Sequence, residues 1–188
     1  MSYSVNVYTD STSVPTLRRV RGNLVLNGWQ TRLLDSETHR PIGGRNLKPC
    51  LIVGWPTPSP REAAIVRAAD ALDQPTLDRL YASNDITSCR LYVERPYRLE
   101  SEATPEELGE LREEVGARAF RAMCAARALY ILESYAGRNS LAIDFQLLVA
   151  ALLGALCGGL IEDPQSGVLA FRKQRSPKAP NPSSHRTA

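Results

Sequence analysis

LAIDFQLLVAALLGALCGGLIEDPQSGVLAF, residues 141–171, decides the fold class. From Leu141 to about Leu156 the stretch is apolar at nearly every helical position. Such a helix has no solvent face and belongs in the centre of a domain. The longest uncharged apolar run, Phe145 to Ile161, contains Gln146 and three glycines, so it is too short and broken to span a bilayer and reads as a buried helix. Gly158-Gly159 stops it. Leu160–Asp163 and Val168–Phe171 then read as two strands around a turn. Asp163 opens that turn, Pro164 follows and Gly167 closes it, each for a conformational reason. An anion loop places its glycines between a strand and a helix N-terminus. Here they follow a helix, whose C-terminal carbonyls repel anions, so the turn is the expected reading.

Working outward from this segment, strand and helix signals mix without strict alternation. SYSVNVYT, ending at Thr9, alternates as a strand. The next segment is helical through Leu17, Val20 and Leu24, with Ser13 as cap, Pro15 in the first turn and Asn27-Gly28 as stop. WQTRLLD resumes as a strand, and residues 36–49 form a polar loop. CLIVGW, Cys50 to Trp55, lies between two prolines and fits a strand buried on both faces. Ser59, Pro60 and Glu62 form a capping box for a helix carrying Ile65, Val66, Ala69 and Leu72. Thr87, Cys89, Leu91 and Val93 alternate with polar residues as a further strand. Thr104, Pro105 and Glu107 make a second capping box. The stripe Leu108, Leu111, Val115, Ala119, Ala122, Ala126 and Leu129 predicts one long helix reaching Tyr135, paired with the apolar helix that follows. The expected fold is α+β: a mixed or mainly antiparallel sheet covered by helices, with a long C-terminal helix pair followed by a β-hairpin. Residues 1–171 are expected to form one domain and 172–188 a disordered basic tail.

The net charge of +3 conceals a pattern. The first fifty residues lean basic through Arg18, Arg19, Arg21, Arg32, Arg40, Arg45 and Lys48. Glu100 to Glu114 is acidic. The tail carries Arg172, Lys173, Arg175, Lys178 and Arg186 with no acid. Opposite charge in separate segments suits steering of a charged partner. Four cysteines, Cys50, Cys89, Cys124 and Cys157, are far apart and form no CxxC pair, which suits reduced thiols in a cytoplasmic protein. The opening residues show no signal-peptide pattern.

GGLIEDPQSGVL resembles the closing hairpin of several small bacterial α+β proteins. In these, an apolar helix ends in Gly-Gly and leads into a strand ending Asp-Pro-x-Ser/Thr-Gly. Some accompany secreted toxins as immunity partners. The resemblance spans residues 141–171 and implies a bacterial cytosolic setting.

Catalytic motifs are missing from the sequence. It has no HExxH, GxSxG or GxxxxGK[ST], His39 lies in a polar loop and His185 in the tail, and Cys124 has no histidine near it in sequence. Asp144 is read as a capping or ion-pairing residue of its helix. No catalytic, metal or cofactor site is therefore assigned. The leading expectation is a non-enzymatic, immunity- or antitoxin-like protein that binds a partner, such as a basic toxin, through Glu106, Glu107, Glu110, Glu113 and Glu114. One alternative is an enzyme with a dispersed Asp, Arg and Tyr site. Another is a non-specific nucleic-acid binder using Arg18, Arg19, Arg21, Arg172, Lys173 and Arg175. No membrane association is expected.

Overall fold

The structure, a computed structural model, describes residues 3–57, 66, 73, 75–76, 78–79, 86–134, 140–165 and 167–172. In chain order the elements are β1 (Tyr3–Thr9), α1 (Leu17–Leu26), β2 (Trp29–Leu34), β3 (Cys50–Pro56) and β4 (Thr87–Glu94). There follow α2 (Leu99–Glu102), α3 (Pro105–Cys124), β5 (Ala128–Ser134), α4 (Ser140–Cys157), β6 (Gly159–Asp163) and β7 (Gly167–Arg172). The fold class is α+β. Among the described residues all seven strands join one sheet in the order β2-β3-β4-β5-β1-β6-β7, and every neighbouring pair is antiparallel.

The period of two in each strand sends alternate side chains to opposite sheet faces. Val5 and Val7 of β1, Cys50 and Ile52 of β3, Cys89 and Leu91 of β4, and Tyr130 and Leu132 of β5 share one face. There they form a cluster with α1 and α4. The opposite face carries two clusters. Tyr8, Leu129 and Leu160 pack with Ala119 and Met123 of α3, and with Tyr97 and Leu99. Leu34, Leu51, Val53 and Trp55 pack with Val66 and Ile86. The sheet thus lies between helices on both sides, with α1 and α4 on one face and α3 on the other.

α4 is the centre of the first cluster. Its 18 residues have a mean hydropathy of 2.0, long and apolar enough to cross a membrane by length and composition. Here Phe145, Val149, Ala150, Leu153 and Cys157 are buried against the sheet, as in the core helix of a folded domain. Gln146 is completely buried in the same face. Its Nε2 donates to the carbonyls of Leu132 at 2.6 Å and Tyr3 at 3.1 Å, and its Oε1 accepts from Ser134 Oγ at 2.7 Å. The amide therefore ties α4 to both β1 and β5, and burial does not leave it unsatisfied.

The structure corrects several expectations. The helix beginning at Pro105 ends at Cys124, and residues Ala128–Ser134, expected in that helix, form β5 in the middle of the sheet. There is accordingly no C-terminal helix pair: β5 separates α3 from α4. Thr16, not Ser13, caps α1, its hydroxyl accepting from the Arg19 N–H at 3.2 Å. Asn27 and Gly28 end α1 as expected, with Gly28 at φ +80° and its N–H bonded to the Val25 carbonyl at 3.0 Å. The Ser59–Glu62 capping box lies outside the described residues.

Candidate functional site

α3 begins with the predicted capping box. Thr104 Oγ1 accepts from the Glu107 N–H at 3.3 Å, and Glu107 Oε2 accepts from the Thr104 N–H at 2.7 Å. The Thr104 N–H bond, and a second from the Thr104 hydroxyl at 2.9 Å, hold the Glu107 carboxyl below the ordinary glutamate range. Glu107 therefore organises the helix start. Glu106, Glu110 and Glu113 follow at steps of four and three, which places them on one side of the helix with Glu114 beside them. All four are exposed. The inner stripe Leu108, Leu111 and Val115 packs into the core and fixes which side faces out. At Gly116, φ +80° and ψ 155° interrupt the helical geometry, separating this acidic half from a second half bearing Arg118 and Arg121.

On the other side of the sheet, α1 buries Leu17, Val20 and Leu24. Helical geometry then places Arg18, Arg21 and Val25 along the exposed flank of α1 next to β2, and points Arg19 and Leu26 away from the sheet. The three arginines are exposed, and Val25 and Leu26 are 58% and 84% exposed. A surface cavity of about 320 Å³ adjoins this stripe, lined by Arg21, Val25, Gln30, Thr31, Arg32 and Trp55. The acidic and basic segments of the sequence thus become two surfaces on opposite sides of one sheet. Arg172 is the last residue of β7, while Lys173 and Arg175 lie outside the described residues.

The polar groups in the core point to structural roles. Glu162 is 6% exposed and accepts from Tyr8 Oη at 3.0 Å and Asn6 Nδ2 at 3.1 Å. Burial, and then the Glu162 charge, push the Tyr8 hydroxyl far above the ordinary tyrosine range. Tyr97 packs against Tyr8 with ring centroids 5.7 Å apart, and burial, followed by the charges of Glu94 and Glu102, pushes it up to about 12. Both phenols stay protonated at neutral pH, so Tyr8 remains the donor that Glu162 requires. Asp163, 1% exposed, accepts from Tyr3 Oη and from the Gln165 N–H, the latter at 2.9 Å.

That Gln165 bond answers the loop question. Asp163 holds a turn between β6 and β7, and Gly167 closes it at φ +84°. Gly159 has its own reason: a Cβ there would lie 2.1 Å from the Tyr8 carbonyl oxygen. The glycines serve chain reversal and close approach of β1.

Nucleophile chemistry has little support. Burial pushes the thiols of Cys50 up to about 12 and Cys157 up to about 11, and carries Cys89 higher still. Cys124 is half-buried and lines a cavity of about 610 Å³ with Tyr97, Arg98, Glu100 and Arg127. Its thiol too is raised, by burial and by Glu100, so it is not a ready thiolate. Among the described residues no group of His, Cys, Asp and Glu could hold a metal ion. Asp144 is exposed on α4.

Sequence reasoning missed the bonded group Asn6, Tyr8 and Glu162 on one sheet face and, separately, the Gln146 bridge on the other. The available signal was parity: Glu162 has the same strand parity as core-facing Leu160, and Asn6 the same as Tyr8.

No family model matches the chain, and neither does any curated protein or solved structure.

Proposed function

We propose that this protein is a non-enzymatic binding module that docks a basic protein on the acidic ridge of α3, in an immunity- or antitoxin-like role in the bacterial cytoplasm. The observation that carries this reading is the arrangement of Glu106, Glu110 and Glu113. They form a straight exposed row on a helix whose inner side is anchored in the core. Like charges four residues apart oppose helix formation. The helix dipole offsets this at Glu106 in the first turn, but Glu110, Glu113 and Glu114 lie beyond it, and their mutual repulsion favours a cationic partner. A row of carboxylates raises the association rate of a cationic surface and excludes anionic ones. The buried carboxylates Glu162 and Asp163 already have tyrosine donors, which supports binding over catalysis.

The test is capture from the native cell on the tagged chain, read by mass spectrometry, with Glu106→Lys/Glu110→Lys/Glu113→Lys as the variant. One stoichiometric basic protein, kept by the parent chain and lost by the variant, is the expected result. A partner held equally by both would refute the ridge. Turnover of a screened substrate, abolished by Glu162→Gln, would replace the reading with an enzyme.

A further inference from the structure

We infer that the outward face of α1 is a second docking surface whose occupant is the acidic α3 ridge of another copy of this chain, giving head-to-tail assembly. The inference rests on the reading of the α3 ridge as a protein-docking surface.

Four observations lead to it. First, α1 and α3 lie on opposite sides of the sheet, so their charged faces cannot meet within one chain but can meet between chains. An interface between two different patches is heterologous and repeats from copy to copy. Second, the rows match in length. Arg18, Arg21 and Val25 extend over seven residue steps, as do Glu106, Glu110 and Glu113, or about 10 Å along each helix axis. Third, Val25 and Leu26 are the most exposed large apolar side chains among the described residues. They stand among Arg18, Arg19 and Arg21. Phosphates offer such side chains nothing, whereas the centre of a protein interface buries them. This favours a protein occupant over nucleic acid. The neighbouring cavity has Arg21 in its wall to meet a carboxylate side chain from the docking helix, while Arg32 at its other side donates to the Val66 carbonyl. Fourth, Arg18 and Arg19 occupy the first turn of α1, where no acidic residue is present and the helix dipole disfavours cations. The approach of carboxylates turns that local cost into attraction.

The experiment is sedimentation velocity on the full chain over a range of concentrations, at about 0.1 M and about 1 M salt. The Debye length falls from about 10 Å to about 3 Å between them. Two neutralising variants are compared: Arg18→Gln/Arg21→Gln, and Glu106→Gln/Glu110→Gln/Glu113→Gln. The parent chain is expected to form species beyond the dimer as concentration rises at low salt, and to dissociate at high salt. Each variant alone is expected to associate about tenfold more weakly, the effect of losing two or three exposed ion pairs. An equimolar mixture of the two is expected to form a 1:1 dimer that grows no further, because each copy retains one working face and they are complementary. A parent chain that stays monomeric at low salt overturns the inference. So does a mixture that stays monomeric, or assembly that nuclease treatment dissolves. Circular dichroism on both variants shows whether loss of association is loss of folding. Capture of a basic partner by Arg18→Gln/Arg21→Gln keeps the proposed function standing even if self-assembly fails.

Discussion

Gly54→Ala is a stringent test of the core. Gly54 lies in β3 beneath α4, and a Cβ there would sit 2.4 Å from both Cε2 and Cζ of Phe145. Carbon atoms in contact prefer about 3.5–4.0 Å, so the overlap exceeds about 1 Å. The ring has little room to yield: Phe145 is completely buried, and the Trp29 ring lies 4.6 Å away between centroids. Relief therefore requires β3 or α4 to shift, and overpacking of this kind costs about 1–3 kcal/mol. Alanine also restricts the unfolded chain, which returns about 0.4–1 kcal/mol. The net expectation is a loss of about 1–2 kcal/mol. For a chain of this size that lowers Tm by roughly 2–8 °C. Urea unfolding at constant m-value is the assay. Phe145→Leu removes the clashing ring atoms, so in a double-mutant cycle it is expected to recover about 1 kcal/mol of the Gly54→Ala loss. Unchanged stability of Gly54→Ala, or strict additivity of the two substitutions, would show that α4 does not pack on β3 as described.

Gln146→Leu removes three hydrogen bonds and leaves the Ser134 hydroxyl buried. A loss of about 2 kcal/mol in urea unfolding is expected after allowing for the added apolar burial, and a neutral result would refute the bridging role. Thr104→Ala removes the cap of α3 and is expected to cost about 1 kcal/mol, read by the same assay, whereas Ser13→Ala leaves stability unchanged because Thr16 caps α1. The Cys50 and Cys157 thiols have folded-state values of about 12 and about 11, above the unfolded value of about 8.5. The folded chain thus holds these protons longer. Their stabilisation is complete below pH of about 8.5 and is lost as pH rises through about 11–12, so the urea midpoint is expected to fall across that window. In the native protein Cys124 is expected to react with a thiol reagent ahead of the other three cysteines, and equal rates for all four would contradict their burial.

Legibility in the sequence followed how local the physics was. Caps and stops were readable at α3 and at the end of α1, because Thr104-Pro105-Glu107 and Asn27-Gly28 act within a few residues. β3 was readable because an apolar run between prolines has few other uses. β5 was not. Its ALYILES segment continues the three-and-four spacing of the α3 stripe through Ala126 and Leu129, so helical periodicity extended into it. The competing signal was the compact run Leu129-Tyr130-Ile131-Leu132, rich in aromatic and β-branched character and short enough for a central strand. Long-range pairing decides the matter: β5 fills the gap between β1 and β4, with Val5 opposite Leu132 and Leu91 opposite Leu132 on its other side. The acidic and basic segments were visible as composition, but their placement on opposite faces depends on the sheet between them. The Tyr8–Glu162 bond joins residues 154 apart, beyond any local pattern.

That separation has a consequence for how the two proposed docking events relate. A helix packs about 10 Å from a sheet, so outward charges on α1 and α3 stand well over about 20 Å apart across the domain. At physiological ionic strength the Debye length is about 8 Å. The field of one face is therefore largely extinguished at the other, and a ligand on α3 does not alter the affinity of α1 through electrostatics. The two faces interact by occupancy alone. A basic partner seated on α3 takes the surface that a second copy would use, while the α1 face of the same chain stays open. Raising the partner concentration should then shorten assemblies in proportion to the α3 ridges occupied, without changing the intrinsic affinity of α1 for a free ridge.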